Sequence, residues 1–147
     1  MESSFVQSFT DYGEACRYLG AKELVLSKLA LITTVKDAVT KHGLILDLRV
    51  SECNDTAVEI ERVVLPSAWD VVSNTMRVVA TGGYRNNVPY FVCQFRDAFY
   101  MLPLLAAERK YFTAYYDGRR YVWDRIAQGS LNGPNAFGRL SALTARM

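Results

Sequence analysis

The chain has 147 residues, of which 50% are hydrophobic, 22% are charged and 12% are aromatic, and its net charge is +2. That is enough chain to bury a core without disulfides or metals, and the composition is not that of a disordered segment. A single histidine (His42) and three scattered cysteines (Cys16, Cys53 and Cys93) with no Cys-x-x-Cys pair exclude a histidine-rich metal site, a zinc ribbon and a dithiol redox centre.

The chain opens on a polar stretch. Residues 9–19 then place Tyr12, Cys16 and Leu19 at helical spacing ahead of Gly20, which predicts a short amphipathic helix. Residues 28–35 read as a strand, Lys36 to Lys41 as its turn, and His42 to Arg49 as the returning strand. In that strand Leu44, Leu46 and Leu48 share one face, and Ile45, Asp47 and Arg49 the other. Charges in such positions are in the plain reading a solvated pair. Residues 50–61 form a polar connection, and Arg62 to Pro66 is extended because the residue before proline avoids the helical region.

Ser67 to Ala80 is predicted as a helix, with Ser67 as cap, Asp70 three residues on, and an apolar stripe of Ala68, Val71, Val72, Met76 and Val79. Thr81 to Asn87 reads as a loop, and Val88 to Phe95 as a buried strand. Lys110 to Tyr116 and Arg119 to Arg125 are aromatic strands around Asp117-Gly118, the pair a tight hairpin requires. Gln128 to Gly133 is a loop, and Pro134 opens a last helix with Phe137, Leu140, Thr144 and Met147 on one side.

Charge is uneven along this order. Residues 1–83 hold 8 basic against 11 acidic side chains, whereas residues 84–147 hold 9 against 4 and are rich in Tyr and Phe. A basic, aromatic half suits contact with nucleic acid or nucleotides. The longest apolar stretch, Phe99 to Ala107, is interrupted by Pro103 and too short to span a bilayer, and the first residues lack a secretory pattern. The expectation is an intracellular protein, cytoplasmic or nuclear, with no membrane partner.

Three ordered segments carry a resemblance: Phe95-Arg96-Asp97-Ala98-Phe99-Tyr100-Met101-Leu102-Pro103-Leu104, Arg109-Lys110-Tyr111-Phe112-Thr113-Ala114 with its Asp-Gly hairpin, and Gln128-Gly129-Ser130-Leu131-Asn132-Gly133-Pro134-Asn135-Ala136-Phe137. Together they resemble the palm of a reverse transcriptase, the RNA-directed DNA polymerase of retrotransposon and retrovirus-type Pol polyproteins. Lys41 to Arg49 resembles the fingers strand of that family, and Arg62 to Pro66 the link into its fingers helix. The resemblance covers about residues 28–147.

It implies an α+β fold with an antiparallel sheet packed on helices. Residues 1–27 would be an N-terminal leader with a short helix, residues 28–87 a fingers-like segment and residues 88–147 an incomplete palm. Nucleotide addition in this family is an in-line attack assisted by two Mg2+ ions. The implied partners are an RNA or DNA primer–template and a deoxynucleoside triphosphate. Position by position, the main-chain N–H groups of Asp97 and Ala98 would face the triphosphate and Phe99 would lie under the sugar. Gln128 and Gly129 would line the incoming nucleotide, Lys36 would reach phosphates, and Asp47 and Arg49 would lie on the template side.

The chain also departs from the family. Gln94 occupies the position of the first metal-binding aspartate, and a neutral amide cannot bridge two divalent ions. Gly43 stands where a triphosphate-binding arginine is usual. The family's Tyr-x-Asp-Asp hairpin follows the last helix, and the sequence contains no adjacent Asp-Asp pair. The expectation is a retroelement reverse-transcriptase fragment that does not polymerise DNA and binds no Mg2+ tightly. A non-catalytic relic that binds nucleic acid or a protein partner is the alternative.

Overall fold

A computed structural model describes residues 5–58, 61–82 and 88–144. The chain divides into two compact units, residues 1–61 with 97–147, and residues 62–96. These cuts do not follow the segment boundaries after residues 27 and 87. Residues 83–87 of the expected loop and Met147 of the last helix lie outside the described residues.

The first unit is built on a five-stranded sheet. Its strands are β1 (Val6–Phe9), β2 (Leu26–Lys36), β3 (Val39–Asp47), β4 (Thr113–Tyr116) and β5 (Arg119–Trp123), in the spatial order β1-β5-β4-β2-β3. Three pairs are antiparallel, but β2 runs parallel to β4 through Leu26–Thr113 and Ser27–Ala114. The sheet is therefore mixed rather than antiparallel. A parallel pair needs a long crossover, and the chain between β3 and β4 supplies it. The architecture is mixed α+β, and residues 5–27 belong to it: β1 pairs along its whole length with β5.

The β2–β3 hairpin is joined by Asp37 and Ala38, both at positive φ (51° and 61°). The turn is thus two residues rather than the six from Lys36 to Lys41, because two consecutive left-handed residues match the twist of the flanking strands. Beyond Ser27 this ribbon pairs with no other described strand, and Leu31, Ile32, Val35 and Val39 on it are exposed. Asp117 (φ 47°) and Gly118 (φ 74°) close the β4–β5 hairpin in the same way. That strand pair is shorter than expected, since a 3-10 turn over Ala106–Tyr111 precedes it and pairing ends at Trp123.

Helix α1 (Tyr12–Leu19) is capped by the Asp11 side chain, which accepts from the Glu14 N–H, and ends on Gly20 at φ 61°. Its Ala15 and Cys16 pack with Leu24 in a small cluster against Phe9 and Leu19. The main core gathers Leu46, Leu48, Leu104, Ala114, Trp123 and Ala127. Burying side chains such as Trp123 and Leu46 contributes about 2 kcal/mol each. A single turn, α2 (Cys53–Thr56), interrupts the expected polar connection. The second unit contains α3 (Ala68–Ala80), and α4 (Gly133–Thr144) closes the first.

One carboxylate ties four segments of the first unit together. Asp124 receives the Tyr18 hydroxyl (3.0 and 3.2 Å), the Gln7 amide (3.4 Å) and the Arg109 guanidinium (2.9 Å). Its own N–H donates to the Phe5 carbonyl and its carbonyl accepts from Leu104. Burial, with the hydrogen bond to Asp124 second, pushes the Tyr18 phenol above its ordinary pKa.

In the second unit, the start of α3 is fixed by its own side chains. The Ser67 hydroxyl accepts from the Asp70 N–H while the Asp70 carboxylate accepts from the Ser67 N–H (2.7 Å), a complete capping box. The apolar stripe expected on this helix exists, yet Val71, Val72, Met76 and Val79 are all exposed. The strand expected over Val88 to Phe95 does not form. Phe91 and Val92 are 92% and 88% exposed, and no described strand pairs with the segment. A run with no described strand beside it has no ladder to satisfy its backbone, so apolar character alone does not make it a strand.

Two outcomes are expected. Asp124→Ala leaves Arg109 and Tyr18 without their acceptor and should lower stability by roughly 2 kcal/mol in urea denaturation, the pair being only partly exposed. The hydrogen bonds from Ser67 hold the Asp70 carboxyl below its ordinary pKa, so its support of α3 is present above the usual carboxylate range and is lost as pH falls through the lowered value. A carbon-13 titration of Asp70 should show that depression, and Ser67→Ala should reduce it, with the main-chain N–H of residue 67 still donating.

Candidate functional site

The residues singled out by the resemblance fall on both units. Gln94 belongs to the second unit and is exposed; the others belong to the first.

The Gln128-Gly129 turn lies against β3. The Leu46 N–H donates to the Gln128 carbonyl at 2.9 Å, so the turn extends the hydrogen bonding of that edge strand by one bond. Gly129 sits at φ 114°, and a Cβ there would stand 2.0 Å from the Leu46 carbonyl oxygen. Only glycine can occupy this position, on both conformational and steric grounds. The Gln128 side chain reaches along β3: its Oε1 is 3.9 Å from where a Cβ on Gly43 would be. Positions 43 and 128, distant in sequence, are therefore neighbours.

Asn54 on α2 holds the turn from the other side. Its Nδ2 donates to the Gly129 carbonyl at 2.9 Å and its Oδ1 accepts from the Leu131 N–H at 3.0 Å. Nothing in the sequence marks Asn54, which is one polar residue in a polar connection. Nearby, Asn132 donates to the Val58 carbonyl and Asn135 to that of Glu61, while Arg139 pairs with the Glu61 carboxylate at 2.7 Å. These bonds explain the asparagines around Pro134: they fasten the end of the connection to the start of α4.

Asp97 adopts the left-handed conformation (φ 53°, ψ 41°) immediately before a 3-10 turn over Ala98–Met101. That conformation, which aspartate adopts more readily than most residues, breaks any strand continuing from Phe95. Phe99 in this turn is half-buried. Its ring meets Phe137 edge-on at 5.9 Å and lies 3.5 Å from where a Cβ on Gly133 would be. Phe99 is thus seated on the first turns of α4.

Lys36 lies at the hairpin tip, paired with Val39. It is four residues along β2 from Ile32, which faces Gly43, or about 13 Å at the usual rise per strand residue. Asp47 ends β3, and its carboxylate accepts from the Arg49 N–H at 3.2 Å. Arg49 follows in that turn, so it does not share a continuing strand face with Ile45 and Asp47. The side chain of Asp47 ends the strand by bonding the backbone two residues on.

The basic half of the sequence is displayed on the β4–β5 hairpin. Tyr115 and Tyr116 are exposed, and the Arg120 guanidinium lies 5.1 Å over the Tyr115 ring while donating to the Thr10 carbonyl. Lys110 lies 4.9 Å over Tyr111. Arg109 is committed to Asp124.

Among the described residues no three His, Cys, Asp or Glu side chains gather to hold a metal ion. Gln94 offers an amide rather than a carboxylate to a divalent ion. Among them, too, no helix is long and apolar enough to cross a membrane.

Gly129→Ala should be severe, at least about 3 kcal/mol by urea denaturation, because it combines a forbidden φ with a clash against backbone that cannot move aside. Compared with family models, with curated proteins and with solved structures, the chain matches none.

Proposed function

We propose that this chain is the fingers and partial palm of a reverse transcriptase of the retroelement type, and that it holds a primer–template and a nucleotide without joining them. The observation that carries this reading is the meeting of Gly43 and Gln128 across β3 and the Gln128-Gly129 turn. These are the positions at which the resemblance expects a phosphate-gripping residue and a nucleotide-lining residue, and such a pair has to be adjacent to share one ligand.

Other features support the same reading. The β2–β3 ribbon extends beyond the sheet with Lys28, Lys36 and Lys41 on it, as a fingers element must if it is to cover a nucleotide. Phe99 is held edge-on by Phe137, which fixes the ring of the residue to which the resemblance gives the sugar-facing role. Exposed Tyr116 offers a stacking face to a base, and exposed Arg119 offers a cation to a nucleic-acid backbone. Catalysis is the part that is lost. Gln94 supplies no charge for the ions that would activate the attacking hydroxyl and neutralise the triphosphate, and Gly43 supplies no cation for the phosphates.

The test joins three measurements on the purified chain. Fluorescence anisotropy with a labelled RNA–DNA hybrid should show binding that weakens steadily as salt rises. A Cβ at Gly43 would make only ordinary van der Waals contacts, so Gly43→Arg should fold normally while tightening binding of thymidine triphosphate about tenfold. Primer extension with magnesium should show no incorporation. No hybrid binding at low salt, together with no response to Gly43→Arg, would overturn the reverse-transcriptase reading; clear incorporation would overturn the loss of catalysis.

A further inference from the structure

A cleft of about 680 Å3 opens in the first unit, a size that admits a drug-sized organic molecule. Its floor reaches the core at Leu48 and Leu104, which are 2% and 6% exposed, and Phe112 and Ile126 add apolar walls. The polar groups on it have distinct roles. Both ends of the Asn54 amide are engaged by Gly129 and Leu131, so Asn54 borders the cleft while holding the turn. Glu108 stands exposed at the rim and is the one formal charge among the described residues lining the cleft. Of the cations beside it in sequence, Arg109 pairs with Asp124, while Lys110 lies over the ring of Tyr111, itself a lining residue of the cleft.

A cleft with an apolar floor, polar groups along its sides (Thr56, Ser130 and Asn132) and a carboxylate at its mouth has a definite preference. An apolar body gains by displacing water from the walls, and an ammonium group gains by pairing with the carboxylate. A carboxylate ligand of the same shape meets a like charge. We propose that this cleft is a binding site for a small organic ammonium compound with an aromatic or branched aliphatic body, and that its occupancy is transmitted to the Gln128-Gly129 turn through Asn54. The proposal stands on the cleft alone and does not depend on the polymerase reading.

The experiment is a nitrogen-15 NMR titration of the full chain with phenethylamine, phenethyl alcohol and phenylacetate. Phenethylamine should give saturable shifts at the amides of Leu48, Phe112 and Ile126, binding at least about tenfold more tightly than phenylacetate, with the alcohol between them. The amides of Gly129 and Leu131 should move in step with those of the cleft. Glu108→Gln, at an exposed position, should preserve the fold and the affinity for the alcohol while abolishing the preference for the amine. Val58→Trp, at a rim position 76% exposed, should obstruct all three compounds. Absence of saturable shifts, equal affinity for amine and acid, or a preference that survives Glu108→Gln would overturn the site. Cleft shifts without movement of Gly129 and Leu131 would overturn the coupling.

Discussion

The first unit depends on one close approach, between the Gln128-Gly129 turn and the backbone of β3. Leu46 gives its N–H to Gln128 and presents its carbonyl to a residue that must lack a Cβ. This contact joins the hairpin, which is local in sequence, to the loop ahead of α4. It also places the Gln128 side chain beside Gly43, so one contact both holds the fold and assembles the candidate site. Asn54 answers it from α2 with a donor and an acceptor, leaving the turn bonded on two sides.

A second constraint sets where the N-terminal residues belong. Asp124 follows the last residue of β5 and collects Tyr18 from α1, Gln7 from β1 and Arg109 from the turn before β4. A carboxylate this enclosed is tolerated because three side-chain donors surround it. The first residues of the described chain are thus a structural part of the sheet, adding an edge strand to β5 and a small apolar cluster under α1. The second unit has no comparable centre among its described residues. Its helix is well capped, but its apolar residues stay exposed.

Local chemistry was legible in the sequence wherever one or two residues decide a conformation. Asp117-Gly118 specified a hairpin because both turn positions need positive φ. Ser67 with Asp70 specified the start of α3 through reciprocal hydrogen bonds, and Gly20 specified the end of α1. Alternation put Leu44, Leu46 and Leu48 on one face, of which Leu46 and Leu48 are buried and Leu44 is exposed. The site was legible only as separate segments. Gln-Gly reads as an ordinary loop until the fold sets it against β3, and Asn54 carries no mark at all.

Pairing and burial were decided by the tertiary structure. Periodicity states which residues could share a face, but not which strand lies beside which. The parallel contact of β2 with β4 joins residues far apart in the chain, and no local pattern encodes it. The same limit explains the Val88 to Phe95 segment, whose apolar run promised a buried strand but pairs with no described strand, and the α3 stripe, whose residues keep helical spacing while exposed. The sequence by itself determined turns, caps and the chemical types on each segment, because these depend on neighbours within a few residues. The tertiary structure alone decided sheet order, the glycine-only contact at Leu46 and the meeting of positions 43 and 128, because each depends on atoms that only folding brings within reach.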